Sequence, residues 1–155
     1  MVLSVLDMSV VRDLYSQLEH QAVTDSLTGL LNRRGFYQTV EGMLLRNEHA
    51  GKYLVVLYLD LDGFKDVNDS LGHDAGDQVL QWVGAQLKDC LRPYDVLARM
   101  GGDEFVVVID GLDFPEHAAK VAEKLIERVS ARRLVDGVEA TPVSYTHLRA
   151  HETEA

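Results

Sequence analysis

An α+β fold of the split β-α-β-β-α-β, ferredoxin-like kind is what this sequence predicts, and three observations carry the expectation. The run YLVVLYL, Tyr53 to Leu59, is apolar on both alternating faces, as a central strand covered on both sides must be. VLARM and FVVVI flank a Gly101-Gly102 turn and read as a hairpin. Helical stripes follow the first strand and the hairpin. At 155 residues, 46% hydrophobic and 26% charged, the chain is large enough for one domain with a sizeable core.

The elements follow in order. From Val2 to about Ala22, apolar residues recur at three and four spacing: Leu3, Leu6, Val10, then Val11, Leu14 and Leu18. The register slips once between Val10 and Val11, so residues 1–23 are expected as a helix that either packs on its own domain or pairs in a coiled coil. TDSLTGLLNRRG then supplies turn and capping residues. A second helix places Phe36, Val40, Met43 and Leu44 on one face and stops near Gly51. After strand Tyr53 to Leu59 comes DLDGFKDVNDSLGHDAGD, polar, glycine-bearing and rich in carboxylates. A helix from about Ala75 to Leu91 aligns Val79, Val83, Leu87 and Cys90. The hairpin occupies Val96 to Met100 and Glu104 to Ile109. Asp113 and Glu116, with Pro115 between them, have capping-box spacing and open a helix with the face Ala118, Val121, Ala122, Leu125 and Val129. Asp136-Gly137 is a turn between two short strands. A last strand is expected near Val143, but Ser144 to Ala155 reads SYTHLRAHETEA, without strand alternation or an apolar stripe. Residues 24–144 are therefore expected as the domain and 145–155 as a non-native tail; its pair His147 and His151 is not read as a metal site.

Charge and cysteine content exclude several classes. A formal charge of −10 argues against long-range attraction to nucleic acid or to an anionic membrane. The single cysteine, Cys90, excludes an internal disulfide, and its helical spacing points to a core position in a reducing, cytoplasmic setting. No apolar run reaches the roughly 20 residues of a membrane span.

The chemistry concentrates at two places. Asp60 and Asp62 end the buried strand, where carboxylates are costly unless solvated, paired or bound to a cation. In a split β-α-β-β-α-β sheet the first strand lies beside the hairpin, which would bring Asp60 to the Gly101-Gly102 turn and let Asp103 or Glu104 share an ion with it. Oxygen ligands of this kind suit Mg²⁺, with Mn²⁺ as the alternative. In strictly extended geometry Asp103 and Glu104 face opposite ways, so only one would reach the ion. The bland reading, that Gly-Gly-Asp is turn chemistry and Glu104 a solvated strand start, stays open on these residues alone.

Three blocks together go further. DSLTGLLNRR at Asp25 to Arg34, DLDGFKDVNDSLGHDAGD at Asp60 to Asp77 and RMGGDEF at Arg99 to Phe105 resemble, in order and spacing, the GGDEF domain of diguanylate cyclases. The resemblance implies a nucleotidyl-cyclase-like antiparallel sheet with flanking helices, here without a recognisable final strand and helix. It implies an enzyme, a nucleotidyltransferase that condenses two GTP into cyclic di-GMP and two pyrophosphates. Carried over by position, Asp60, the Leu61 carbonyl, Asp103 and Glu104 resemble the metal ligands; Asp103 resembles the proton acceptor, and Lys65 the cation that steadies phosphate charge. Asn68 and Asp77 resemble the guanine readers. Phe64 and His73 fall in the same binding stretch, and Gly101 and Gly102 allow close approach of the nucleotide. Arg92 and Asp95 match the RxxD inhibitory product site, against the alternative of a surface ion pair. One domain holds one GTP, so an antiparallel homodimer is expected, with residues 1–23 resembling the signalling helix that brings two such domains together and an upstream sensory or receiver domain expected to be missing from this chain. A catalytically silent module that binds GTP or cyclic di-GMP is the rival function, and a bare dimerisation domain a third.

Overall fold

A computed structural model describes residues 8–61, 63–130, 133–135, 138–140 and 151–153. The helices are α1 (Met8–Val23), α2 (Arg33–Ala50), α3 (Phe64–Leu71), α4 (His73–Cys90) and α5 (Ala118–Val129); the strands are β1 (Tyr53–Asp60), β2 (Val96–Gly101), β3 (Glu104–Leu112), β4 (Arg133–Val135), β5 (Val138–Ala140) and β6 (His151–Thr153). The main sheet has the order β2-β3-β1-β6, with β3 antiparallel to both of its neighbours. That is the sheet order expected of the split β-α-β-β-α-β pattern.

Burial explains why β1 is apolar throughout. Val55, Leu57 and Leu59 face a cluster with Phe105, Val107 and Ile109 of β3, Val79, Val83 and Leu87 of α4, and Leu125 and Val129 of α5. Leu54, with the half-buried Val56 and Tyr58, faces Val106 and Val108 of β3 and Phe36 and Met43 of α2. Period-two alternation thus feeds two apolar layers, α2 on one side and α4 with α5 on the other. Helix α2 starts at Asn32, whose side chain accepts from the Gly35 N–H, and ends at Gly51 with φ 63°, a left-handed cap.

The structure adds to or departs from the expected elements at four places. The carboxylate-rich stretch after β1 holds a helix: FKDVNDSL forms α3, joined to α4 through Gly72. Phe64, Val67 and Leu71 carried a helical stripe, but eight residues with three apolar positions give a weak signal. The Asp113–Glu116 capping box does not form. Phe114 is the N-cap of a short 3₁₀ turn, Pro115–His117, and the Asp113 carboxylate accepts instead from Lys52 Nζ. Three residues of the α1 stripe do not pack on the domain: Val10 is 51%, Leu14 52% and Leu18 62% exposed, while Val11 is half-buried. Finally, three residues of the C-terminal segment, His151–Thr153, pair with Leu54–Val56 of β1. An open strand edge presents unpaired N–H and C=O groups that an extended segment can meet whatever its side chains. Among the described residues no helix follows, and the strand expected near Val143 falls outside them, as do the turn residues Asp136-Gly137 and the helical start before Met8.

Candidate functional site

The site grows from the end of β1. The β1–β3 register sets Asp60 directly opposite Glu104, and the β2–β3 register sets Gly101 opposite the same Glu104. The Leu61 N–H donates to the Asp103 carbonyl at 3.2 Å, stitching the strand end to the turn. Residues more than forty positions apart in sequence therefore meet at one sheet end, as the strand order demands. Asp103 lies in the turn and not in the strand, so alternation does not govern its direction; Glu104 begins β3. Gly101 at φ 151° and Gly102 at φ 49° adopt backbone angles that a side chain would oppose. Asp62 lies outside the described residues.

Electrostatics makes this end unusual. Asp60 is exposed, and Asp103 and Glu104 are half-buried. Like charges directly opposite one another across a sheet repel unless a cation lies between them. Among the described residues no His, Cys, Asp or Glu side chains gather in threes into a closed cage. Two carboxylates and a carbonyl at an open end are nonetheless the partial donor set that suits a hard cation, which keeps its waters and takes phosphate oxygens. The Leu61 carbonyl accepts from the Phe64 N–H at 3.4 Å and retains a second lone pair.

Helices α3 and α4 stand beside this end. Phe64 and the exposed Lys65 open α3, and Asn68 lies one turn on, half-buried. His73 opens α4 and Asp77 lies one turn further, both exposed. The structure therefore brings Asp60, Leu61, Gly101, Gly102, Asp103 and Glu104 together through the sheet, while Lys65 and Asn68 lie on α3 and His73 and Asp77 on α4, the two helices that follow β1.

The RxxD residues lie elsewhere. Asp95 precedes β2 and the glycines end it, so six residues of strand, about 20 Å, separate the two places. Arg92 grips Asp95 with Nε at 3.1 Å and Nη2 at 2.9 Å, and Nη2 also donates to the Asp110 carbonyl at 3.0 Å. The guanidinium lies 4.7 Å from the Tyr94 ring centroid. Hydrogen bonding to Asp95 holds the Arg92 guanidinium above its ordinary pKa, against some desolvation. A cleft of about 370 Å³, lined in part by Lys88, Arg92 and Asp95, adjoins the pair. Arg92 and Asp95 are thus paired in this structure, beside a cleft that Lys88 also lines.

One connection was not legible in the sequence. Arg99 Nη1 donates to Asp25 Oδ1 at 2.9 Å, and its Nε donates to the Gly102 carbonyl at 2.9 Å. Asp25 also accepts from the Thr28 N–H at 2.9 Å and the Thr28 hydroxyl at 2.7 Å. Burial opposes the charge on Asp25, but the bonds from Thr28 and the Arg99 cation outweigh it and hold the carboxyl below its usual range. The Asn32 amide donates to the Ala22 and Thr24 carbonyls, where α1 ends. The loop between the first two helices thus clamps the glycine turn to the end of α1. A pair 74 positions apart leaves no local periodicity to find it by.

The family model described as diguanylate cyclase, GGDEF domain, matches residues 22–147. The chain is 43% identical over 133 residues to the diguanylate cyclase TpbB of Pseudomonas aeruginosa, covering 82% of this chain and 29% of that protein. It is 41% identical over 136 residues to the cyclic di-GMP phosphodiesterase NbdA of the same species, covering 83% of this chain and 17% of that protein. It spans less than a third of the length of either relative. Among solved structures it is similar to the coiled coil and GGDEF domain of DgcB from Caulobacter crescentus in complex with cyclic di-GMP, at a TM-score of 0.78 and 26% identity, covering 94% of this chain and 75% of that one. Among the described residues no helix is long and apolar enough to cross a membrane.

Proposed function

The chain belongs to the GGDEF family of diguanylate cyclase domains, and from that premise we propose that it condenses two GTP molecules into cyclic di-GMP and two pyrophosphates. The observation that carries the reading is the register that sets Asp60 opposite Glu104, with Asp103 tied to Leu61. Two carboxylate-bearing blocks with no local relation converge where a cation and phosphates can neutralise them.

The Asp60 and Glu104 carboxylates, the Leu61 carbonyl and Asp103 would hold Mg²⁺ or Mn²⁺. When bound, such a cation acts as a Lewis acid on the phosphate and lowers the pKa of the attacking hydroxyl. Asp103 accepts the proton from the 3′-hydroxyl of one GTP. That oxygen forms a bond to the α-phosphorus of the other, and the bond from this phosphorus to the bridging oxygen breaks, releasing pyrophosphate. Lys65, as a compact ammonium, offsets the charge that builds on the phosphate oxygens. Asp77 accepts from guanine N1–H and N2–H, while the Asn68 amide meets a mixed donor and acceptor edge. Phe64 and His73 complete the wall, and Gly101 with Gly102 admits the nucleotide close to the backbone. Each copy supplies one GTP, so the working species is an antiparallel homodimer. Arg92 and Asp95 bind the product, whose phosphates compete for Arg92 with the present pair.

The test incubates purified protein with GTP and Mg²⁺ and separates the products by chromatography. Cyclic di-GMP is expected, and Asp103→Ala is expected to lower turnover at least about 10²-fold, the scale of a lost general base, with an unchanged fold by circular dichroism. Wild-type protein that binds GTP yet yields no product at any protein concentration would overturn the cyclase reading in favour of a binding module.

A further inference from the structure

Gly76 lies inside α4, buried, where a glycine weakens a helix. Its neighbour across the helix pair explains the cost. A Cβ built on Gly76 would stand 1.8 Å from Asn68 Oδ1, 2.9 Å from Asn68 Cγ and 3.4 Å from Phe64 Cζ. The first two are far inside van der Waals contact, so no side chain at position 76 is compatible with the present place of the Asn68 amide. Contrast makes the point specific: a Cβ on Gly42, equally inside a helix, would meet nothing within 4 Å.

The connection between the helices enforces this approach. Gly72, at φ 90°, is the only residue between α3 and α4; its N–H donates to the Asn68 carbonyl at 3.0 Å, and the Gly76 N–H donates to the Gly72 carbonyl at 3.2 Å. The two helices therefore diverge from one short corner, and the first turn of α4 has to receive the side chain at position 68. Asn68 is half-buried, and its amide makes no hydrogen bond to any described residue. A half-buried amide is costly unless some hydrogen-bonding group satisfies it. Among the described residues the amide is thus placed by shape and not by bonding.

We infer that Gly76 is a positioning residue for purine recognition: its bare Cα forms the slot that holds the Asn68 amide in the orientation that reads the guanine edge. This rests on the proposed function, since it assigns Asn68 to guanine. The first-turn placement of Gly76 beside Asp77 gives the slot a second consequence. One turn of helix carries both the acid that accepts from the base and the surface that aims the amide at it, so the two groups move as one rigid unit.

The experiment compares wild type with Gly76→Ala, using GTP and inosine triphosphate, which lacks the 2-amino group, as substrates. Alanine is the better helix former, and the clash falls on the end of a side chain able to rotate, so the thermal midpoint of Gly76→Ala should not fall. KM for GTP should rise about tenfold, the equivalent of one hydrogen bond, with kcat at saturation within about threefold. The preference for GTP over inosine triphosphate should shrink. In the Asn68→Ala background, Gly76→Ala should add nothing further, because the group it displaces is gone. An unchanged KM in Gly76→Ala, or effects that simply add in the double variant, overturns the inference. Calorimetric binding of GTP to the same proteins separates the two readings. If wild type binds GTP without turnover, the cyclase reading fails, and a weaker GTP affinity of Gly76→Ala still supports the slot. If wild type does not bind GTP at all, both fail.

Discussion

Asp25 shows how a residue that touches no reacting atom can govern the site. Its carboxylate holds Thr28 and Arg99, and Arg99 in turn holds the Gly102 carbonyl. Because the folded-state pKa of Asp25 lies below its unfolded value, the stability it contributes is fully present above the unfolded carboxylate pKa of about 4 and is lost as pH falls through the lower folded value. Asp25→Asn is therefore expected to cost about 1–2 kcal/mol at pH 7, the scale of a charge-assisted hydrogen bond. Urea unfolding at pH 7 and pH 3 checks the sign: the gap between wild type and variant should narrow at the lower pH, and a constant gap would refute the ionic account. Arg92 makes a second residue-scale case. Its guanidinium stays charged throughout the working range, so its pairing with Asp95 is a competition between anions and not a pH switch. Arg92→Ala should shift inhibition by added cyclic di-GMP to about tenfold higher concentration or more, whereas an identical inhibition curve would remove this residue from the product site.

At the scale of elements, two glycines of α2 make opposite predictions. A Cβ on Gly35 would lie 2.2 Å from the Val23 carbonyl oxygen, which is backbone and cannot rotate away. That carbonyl also accepts from the Asn32 N–H at 2.9 Å, at the point where α1 meets the domain. Gly35→Ala should destabilise by about 1–3 kcal/mol, as overpacking does. Gly42→Ala, with open space around it, should stabilise by about 0.5–1 kcal/mol through helix propensity alone. Chemical denaturation of the two variants side by side measures both; the same sign for both would defeat the packing argument. Much of the element order was legible, because β1 is apolar on both faces and α4 and α5 carry clear stripes. Helix α3 was not, since eight mostly polar residues owe their shape to packing against α4. The failed capping box has a similar cause: Lys52, 61 positions away, takes the carboxylate that local spacing had assigned to the helix end.

For the whole molecule, the exposed stripe of Val10, Leu14 and Leu18 on α1 bears on assembly. Leu14 and Leu18 recur with the half-buried Val11 at the i, i+3 and i+7 spacing that suits a second copy of the same helix, and the proposed reaction needs two GTP-loaded domains. Leu14→Glu combined with Leu18→Glu should leave the domain folded, because both positions are more than half exposed at 52% and 62%. Sedimentation should then show more monomer, and specific activity should fall most at low protein concentration. Unaltered sedimentation would mean that this stripe does not hold the dimer.

The sequence by itself determined the family resemblance, the central strand, the helix faces and the residue types of the candidate site. These are local properties, carried by periodicity, by turn chemistry and by short motifs. Only the tertiary structure decided that Asp60 stands opposite Glu104, that Arg99 bridges Asp25 to the glycine turn, and that Gly76 makes room for Asn68. Each of these depends on strand register or on the close approach of two helices. Register and approach are set by how the whole core packs, which no stretch of the chain encodes alone.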